Sequence, residues 1–281
     1  EFRRVLFRSK SLVNIEQAFI FGDIGKLRYA GKVFVETNAT LNELTLEGLL
    51  GLEKVDPSYL STDLIGMFSG ELPHTVTLNE VTQWASISDA AIDGSWQELP
   101  FKSALNLRLD KSGNIFVEEF LLNQSKNVMK ASGQLYSHKA LDAIESVLEQ
   151  QNFAAQQSTT VSKQNSSKLD SSLLVFDFDI NSFEDIYPSL EGALKLQGQI
   201  QGAIEAPTIT LTGKGESIVL GEHQLDALSL QANVDFAQKL ASEIKLNLSQ
   251  LYSSGVAIPQ LELSLQGDEV NQSLSLDIPE G

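Results

Sequence analysis

The chain has 281 residues, 42% of them hydrophobic, no cysteine and a formal net charge of −17 at pH 7. That acidity repels a phosphate backbone, so nucleic acid is excluded as an expected partner. The lack of cysteine excludes thiol catalysis and cysteine-ligated zinc, and it fits an oxidising compartment without a structural disulfide.

The first nine residues, EFRRVLFRS (Glu1–Ser9), match the translation of a common sequencing-library adapter. They are expected to be a non-native tail and are set aside from fold reasoning. The segment 10–136 reads as β-repeats. Val33 and Val35 alternate with Lys32, Phe34 and Glu36, and Leu44 and Leu46 alternate with Glu43, Thr45 and Glu47. Such period-two alternation gives a strand one apolar and one polar face. Leu49–Leu52 is continuously apolar and reads as a buried turn. Asp56-Pro57 breaks the pattern, and Ser58–Gly70 fits either a short helix or a loop. Strands resume over Val76–Leu109, where Leu105, Leu107 and Leu109 alternate with Asn106 and Arg108. Lys111-Ser112-Gly113-Asn114 is a turn, Ile115–Leu122 the return strand and Val128–Leu135 the next. Connections this short join antiparallel neighbours and cannot carry a parallel crossover.

The period then changes. In Ser137–Asn152 the apolar residues Leu141, Ile144, Val147 and Leu148 fall at helical spacing, with Ser137 as N-cap. This predicts one amphipathic helix covering the sheet, or lying over a groove mouth. Phe153–Ser172 is rich in Gln, Ser, Thr, Ala and Lys and predicts a flexible linker or loop. The segment 173–281 returns to β-repeats. Leu174, Phe176, Phe178 and Ile180 alternate with Val175, Asp177 and Asp179, and the pattern continues through Leu246 and Leu248 to Leu274, Leu276 and Ile278.

A repeat runs through this half. LKLQGQ begins at Leu194, LSLQAN at Leu228 and LSLQGD at Leu263, and a looser LTLEGL begins at Leu44. Recurrence near 35 residues is the mark of stacked, similar strand units. The phrases around the repeat resemble those of the TamB family. They are Pro188-Ser189-Leu190-Glu191-Gly192, Gln199–Gly202, Ala206-Pro207-Thr208-Ile209-Thr210-Leu211-Thr212-Gly213 and Leu225–Leu230. Upstream, Gly94–Phe101 and Asn127–Leu135 are similar to further family phrases, so the resemblance runs from about Asn38 to the C-terminus apart from one insert. It implies a periplasmic β-groove, anchored in the inner membrane by a segment missing here. It also implies a role in phospholipid transport toward the outer membrane, in outer-membrane protein assembly, or in both. The partner implied is an Omp85-type outer-membrane barrel, TamA, met through regions outside this fragment.

The fold class expected is mainly β: a long antiparallel repeat sheet curled into a groove (β-taco-like), with one amphipathic helix. About 235 residues at ~12 per strand with its turn give ~20 strands and roughly 95 Å of sheet. A sheet with one apolar face must cover it with a second sheet, seal it inside a solenoid, or offer it to a ligand. The candidate groove-lining residues are Leu105, Leu107, Leu109, Phe176, Phe178, Leu194, Leu196, Ile200, Ile209, Leu211, Leu228, Leu230, Leu246, Leu248, Leu263 and Leu265. Their expected ligands are phospholipid acyl chains. The competing reading is a structural β-repeat stalk or adhesin with a dry core.

Catalytic and metal signals are weak. His74, His138 and His223 have no partner at metal spacing, no G-x-S-x-G elbow occurs, and Gly213-Lys214-Gly215 lacks the rest of a phosphate loop. Asp177 and Asp179 share a strand face and read as solvated. No enzyme activity, cofactor or metal is expected.

Overall fold

The computed structural model describes residues 10–22, 25–37, 42–59, 65–79, 83–110, 112–138, 172–237 and 241–279. Within them the chain is one meander of strands. In order these are β1 (Lys10–Gly22), β2 (Gly25–Thr37), β3 (Asn42–Val55), β4 (Gly66–Asn79) and β5 (Gln83–Trp96). Then come β6 (Leu99–Leu109), β7 (Ile115–Gln124), β8 (Asn127–Leu135), β9 (Leu173–Ile180) and β10 (Leu190–Ala203). The last are β11 (Ala206–Leu220), β12 (His223–Asp235), β13 (Ala241–Ser253), β14 (Val256–Gly267) and β15 (Gln272–Asp277). All fifteen form a single sheet in sequence order, and every neighbouring pair is antiparallel. At ~4.8 Å per strand the sheet is about 67 Å long.

The turns explain this order. Gln97 and Glu98 join β5 to β6 with φ of 50° and 64°, and Ser254 and Gly255 join β13 to β14 with φ of 48° and 83°. Two central residues at positive φ match the right-handed twist of paired strands and close a hairpin in the least chain. Asp110 closes the longer β6–β7 turn, its carboxylate accepting from the Ser112 and Asn114 amides at 2.8 and 3.1 Å.

The strands are longer than alternation alone predicts, because bulges let them continue. Pairing shifts at Ile15/Ala18, Leu52/Val55, Ile87/Ala90, Val117/Phe120 and Glu191/Ala193. Further on, gaps in the pairing align without a change of register. The pairing passes over Ser217 opposite Asp226, Asp226 opposite Gln250, and Gln250 opposite Pro259. Ser217 and Gln250 sit at φ of 51° and 53°, and Pro259 has no N–H to offer the ladder. These gaps lie in one row across successive strands.

Three expectations are revised. There are fifteen strands among the described residues rather than ~20, since strands reach 15 residues. Leu49–Leu52 is not a turn but the middle of β3. Gly48 and Gly51 replace side chains on opposite faces there, which hides the alternation. Ser58–Gly70 contains a 3-10 turn, Pro57–Tyr59, and the start of β4. The helix expected over 137–152 and the linker expected over 153–172 lie outside the described residues, apart from Ser137, His138 and Ser172.

Gly198 of β10 lies beneath the Phe176 ring, and a Cβ at this position would overlap the Phe176 Cζ and the Thr210 carbonyl. Gly198→Ala should therefore destabilise the sheet by about 1–3 kcal/mol in urea unfolding. Phe176→Leu in the same chain should recover part of that loss. Equal costs in the two backgrounds would refute the contact.

Candidate functional site

Antiparallel partners share a face, so the register fixes which side chains point the same way. Leu105, Leu107 and Leu109 of β6 stand opposite Ala90, Ile87 and Ala85 of β5, and opposite Phe120, Val117 and Ile115 of β7. Phe120 continues to Ala131 of β8 and then to Phe176 of β9, while Met129 pairs with Phe178. Phe178 faces Leu196 and Ile180 faces Leu194 on β10, where Ile200 faces Ile209 of β11. Leu211 lies one pleat along from Ile209. Leu228 and Leu230 of β12 pair with Leu248 and Leu246 of β13. Leu246 and Ile244 meet Leu263 and Leu265 of β14, and these meet Leu276 and Leu274 of β15. The register therefore brings every candidate lining residue onto one continuous face. It extends upstream through Val76, Leu46 and Val33 to Val13 of β1.

The opposite face is largely polar, with Phe19 and Phe21 standing on it beside Arg28 and Lys26. Asp177 and Asp179 lie there, with Asp179 3.6 Å from the Lys195 ammonium, and the Lys26–Glu53 and Arg28–Glu71 pairs are 2.8 and 2.9 Å. Such exposed pairs contribute little, because solvent screens them.

Apart from the short segment Asn181–Ser189 at one rim, the apolar face has no protein layer over it among the described residues. Each strand packs chiefly on its two sequence neighbours, and the further contacts of note are β8 with β10 and β4 with the 3-10 turn. Among the described residues the buried hydrophobic side chains are Ala90, Leu135, Ile180 and Ala203. Along β13, Ile244, Leu246 and Leu248 are half-buried while Lys245, Asn247 and Ser249 are exposed. This asymmetry is what a concave apolar face produces: its side chains shield one another without being sealed.

The two rims close locally at a waist. The strands shorten from β6 to β9, which has eight residues, then lengthen to fourteen in β10. At one rim the segment Asn181–Ser189 turns back as a strap over the apolar side. Asn127, fully buried, accepts from the Asn181 and Ser182 amides at 2.9 and 3.0 Å and donates to the Ser182 carbonyl at 2.9 Å. Gln124 donates to the Asp185 carbonyl at 2.7 Å and the Trp96 carbonyl at 3.0 Å, and the Trp96 indole donates to the Ile186 carbonyl at 2.9 Å. At the other rim Tyr136 bridges directly to Ala203, past the start of β9. The Ile204 amide donates to the Tyr136 carbonyl at 2.9 Å, and the Ser172 hydroxyl donates to the Gly202 carbonyl.

Polar groups interrupt the face in places that alternation does not reveal. Gln124 pairs with Phe101 and Asn127, so all three share the apolar face. Tyr29 lies on the same face at β2, over Gly31 and Gly48, with its ring 5.5 Å from that of His74. Burial raises the pKa of the Tyr29 phenol. The sequence signal for these positions is a polar residue or glycine where the pattern calls for an apolar one. Among the described residues no cluster of His, Asp and Glu has the geometry to hold a metal, and the His223 ring nitrogen lies 2.8 Å from the Ser253 hydroxyl on an exposed part of the sheet.

An open antiparallel meander with one uncovered apolar face defines a β-groove protein, one built by adding strands rather than by enclosing a core. Residues 150–280 match the family model described as TamB, N-terminal domain. On that match residues 150–280 are assigned to the TamB family. The upstream phrases from Asn38 lie outside the matched residues. Comparison with curated proteins and with solved structures gives no match.

The second rim carries a pH dependence. Glu205 accepts from the His138 amide at 2.9 Å, and this hydrogen bond holds its carboxyl below the usual glutamate value. A lowered folded pKa stabilises above the unfolded value of about 4.3, and the contribution is lost as pH falls through the folded value. The protection of the His138 amide against exchange should fall as pH drops below the ordinary glutamate range in the natural chain. In Glu205→Gln that step should be absent; a step of equal size would show that another group controls the rim.

Proposed function

We propose that the apolar face is a groove for phospholipid acyl chains, and that the chain is a non-enzymatic segment of a TamB-like envelope protein. The observation that carries this reading is the apolar face that runs through all fifteen strands and is covered, among the described residues, only by the short strap at one rim. Each methylene that leaves water for such a face gains about 0.8 kcal/mol, so a two-chain lipid is held without a dedicated headgroup site. Headgroups would stay in water at the groove mouth while acyl chains slide along the leucines, between inner and outer membranes. Family membership suggests a periplasmic location tied to the inner membrane. The same trough could hold unpaired apolar strand segments during outer-membrane protein assembly, with an Omp85-type barrel such as TamA as partner, through regions other than those described here.

The dry-core stalk is disfavoured by the same observation. A sealed solenoid of this length would bury many leucines fully, and the described residues bury one, Leu135.

Leu196→Asp and Leu230→Asp separate the two readings. Native mass spectrometry of Lys10–Gly281 purified from a bacterial envelope should show mixed, substoichiometric phospholipid that both variants lose. Their urea midpoints should shift only slightly, since a charge on an uncovered face stays hydrated. In a dry core each substitution would cost several kcal/mol. Lipid-free protein together with unfolded variants would refute the groove.

A further inference from the structure

The strap Asn181–Ser189 is held at one rim by side chains that rise from the apolar side of several strand ends. It leaves the end of β9 and reaches the end of β5, about 19 Å away at ~4.8 Å per strand. Its path lies over the groove because its anchors Trp96, Gln124 and Asn127 point from the apolar face. These three positions replace the apolar residues that continue the face elsewhere, and their polar groups are spent on strap carbonyls and amides. The strap also crosses where the face is narrowest. Eight residues of β9 span about 26 Å, against about 50 Å for the fifteen of β11, at ~3.3 Å per residue.

The strap has the build of a unit that moves as one. The Phe183 carbonyl accepts from both the Ile186 and Tyr187 amides, at 2.9 and 2.8 Å, which makes a compact turn. At its base the Phe183 amide donates to the Gly192 carbonyl at 2.9 Å. Gly192 sits at φ 105°, beside the Glu191/Ala193 register shift, a joint that L side chains rarely permit. Toward the tip the holds on the sheet are hydrogen bonds of neutral amide and indole groups. These are few and individually modest, so opening the tip leaves the ladder of the sheet intact.

We propose that Asn181–Ser189 is a lid over the waist of the groove, closed in this structure, which an acyl chain must displace to occupy the face between β6 and β9. The inference rests on the groove reading. It adds a checkpoint between two half-grooves, one lined by β1–β6 and the other by β10–β15.

The chain has no cysteine, so an introduced pair is unique. Cysteines at Glu98 and Tyr187, two exposed residues flanking the Trp96–Ile186 hydrogen bond, can be joined by a short bis-maleimide or left unjoined. A photoreactive amino acid is placed at Met129, on the apolar face at the waist, or in a separate protein at Leu230. Each protein is incubated with vesicles of phosphatidylethanolamine and phosphatidylglycerol and irradiated. With the lid joined, lipid adducts at Met129 should fall about tenfold while adducts at Leu230 stay unchanged. Trp96→Phe with Gln124→Ala, checked for retained circular dichroism, should raise the Met129 adducts above those of the unjoined protein. Met129 adducts that ignore both changes would overturn the lid while leaving the groove. Absence of adducts at Leu230 in every sample would overturn the groove reading, and the lid with it.

Discussion

The hydrogen-bond ladder between consecutive strands holds this molecule together. In most domains two layers meet and each supplies the other's core. Here each strand finds its partners before and after it in the chain, and the apolar side chains gain only the shelter of their neighbours. Stability is therefore close to a sum of nearest-neighbour terms along one dimension. The sheet can be long without a large core, and its apolar face can stay uncovered without loss of the fold.

The bulges reconcile two demands that would otherwise conflict. A strand of up to fifteen residues would stand as a stiff wall, and a flat wall offers a ligand little concave surface. Register shifts such as Ile87/Ala90 and Glu191/Ala193 bend single strands. Where Ser217, Asp226, Gln250 and Pro259 fall in one row, the three-residue step from Leu225 to Leu228, or from Leu248 to Leu251, keeps leucine half-buried across the gap in the ladder. At the waist the demands differ. There the chain spends Asn127 and Gln124 on holding a segment down, and the neighbourhood of these residues is among the few fully buried places in the molecule.

Much of this was legible in the sequence. Leucine alternation marks the strands from β6 onward and assigns faces, because a one-residue error would move charges such as Lys195 or Lys245 inward. The repeat of LKLQGQ, LSLQAN and LSLQGD marks β10, β12 and β14, every second strand, as one unit recurring. The rest was hidden for physical reasons. Glycines at 48 and 51 remove side chains from both faces of β3 and blur its period. A bulge shifts the apolar position from two residues to three, which resembles the end of a strand. The strap is set by long-range hydrogen bonds from Trp96, Gln124 and Asn127, and no local pattern around Asn181 announces them.

The order of pairing has a consequence for how the chain is made. Because β1 to β8 each need only the preceding strand, that part can zip up while later residues are still emerging from a ribosome or a translocation channel. The join of β8 to β9 is different. It must close the chain between Leu135 and Leu173, so it carries a loop-closure entropy that a two-residue hairpin avoids. That seam divides assembly into two cooperative blocks. The strap, which reaches from beyond β9 back to β5, is the stitch that forms only after both blocks exist.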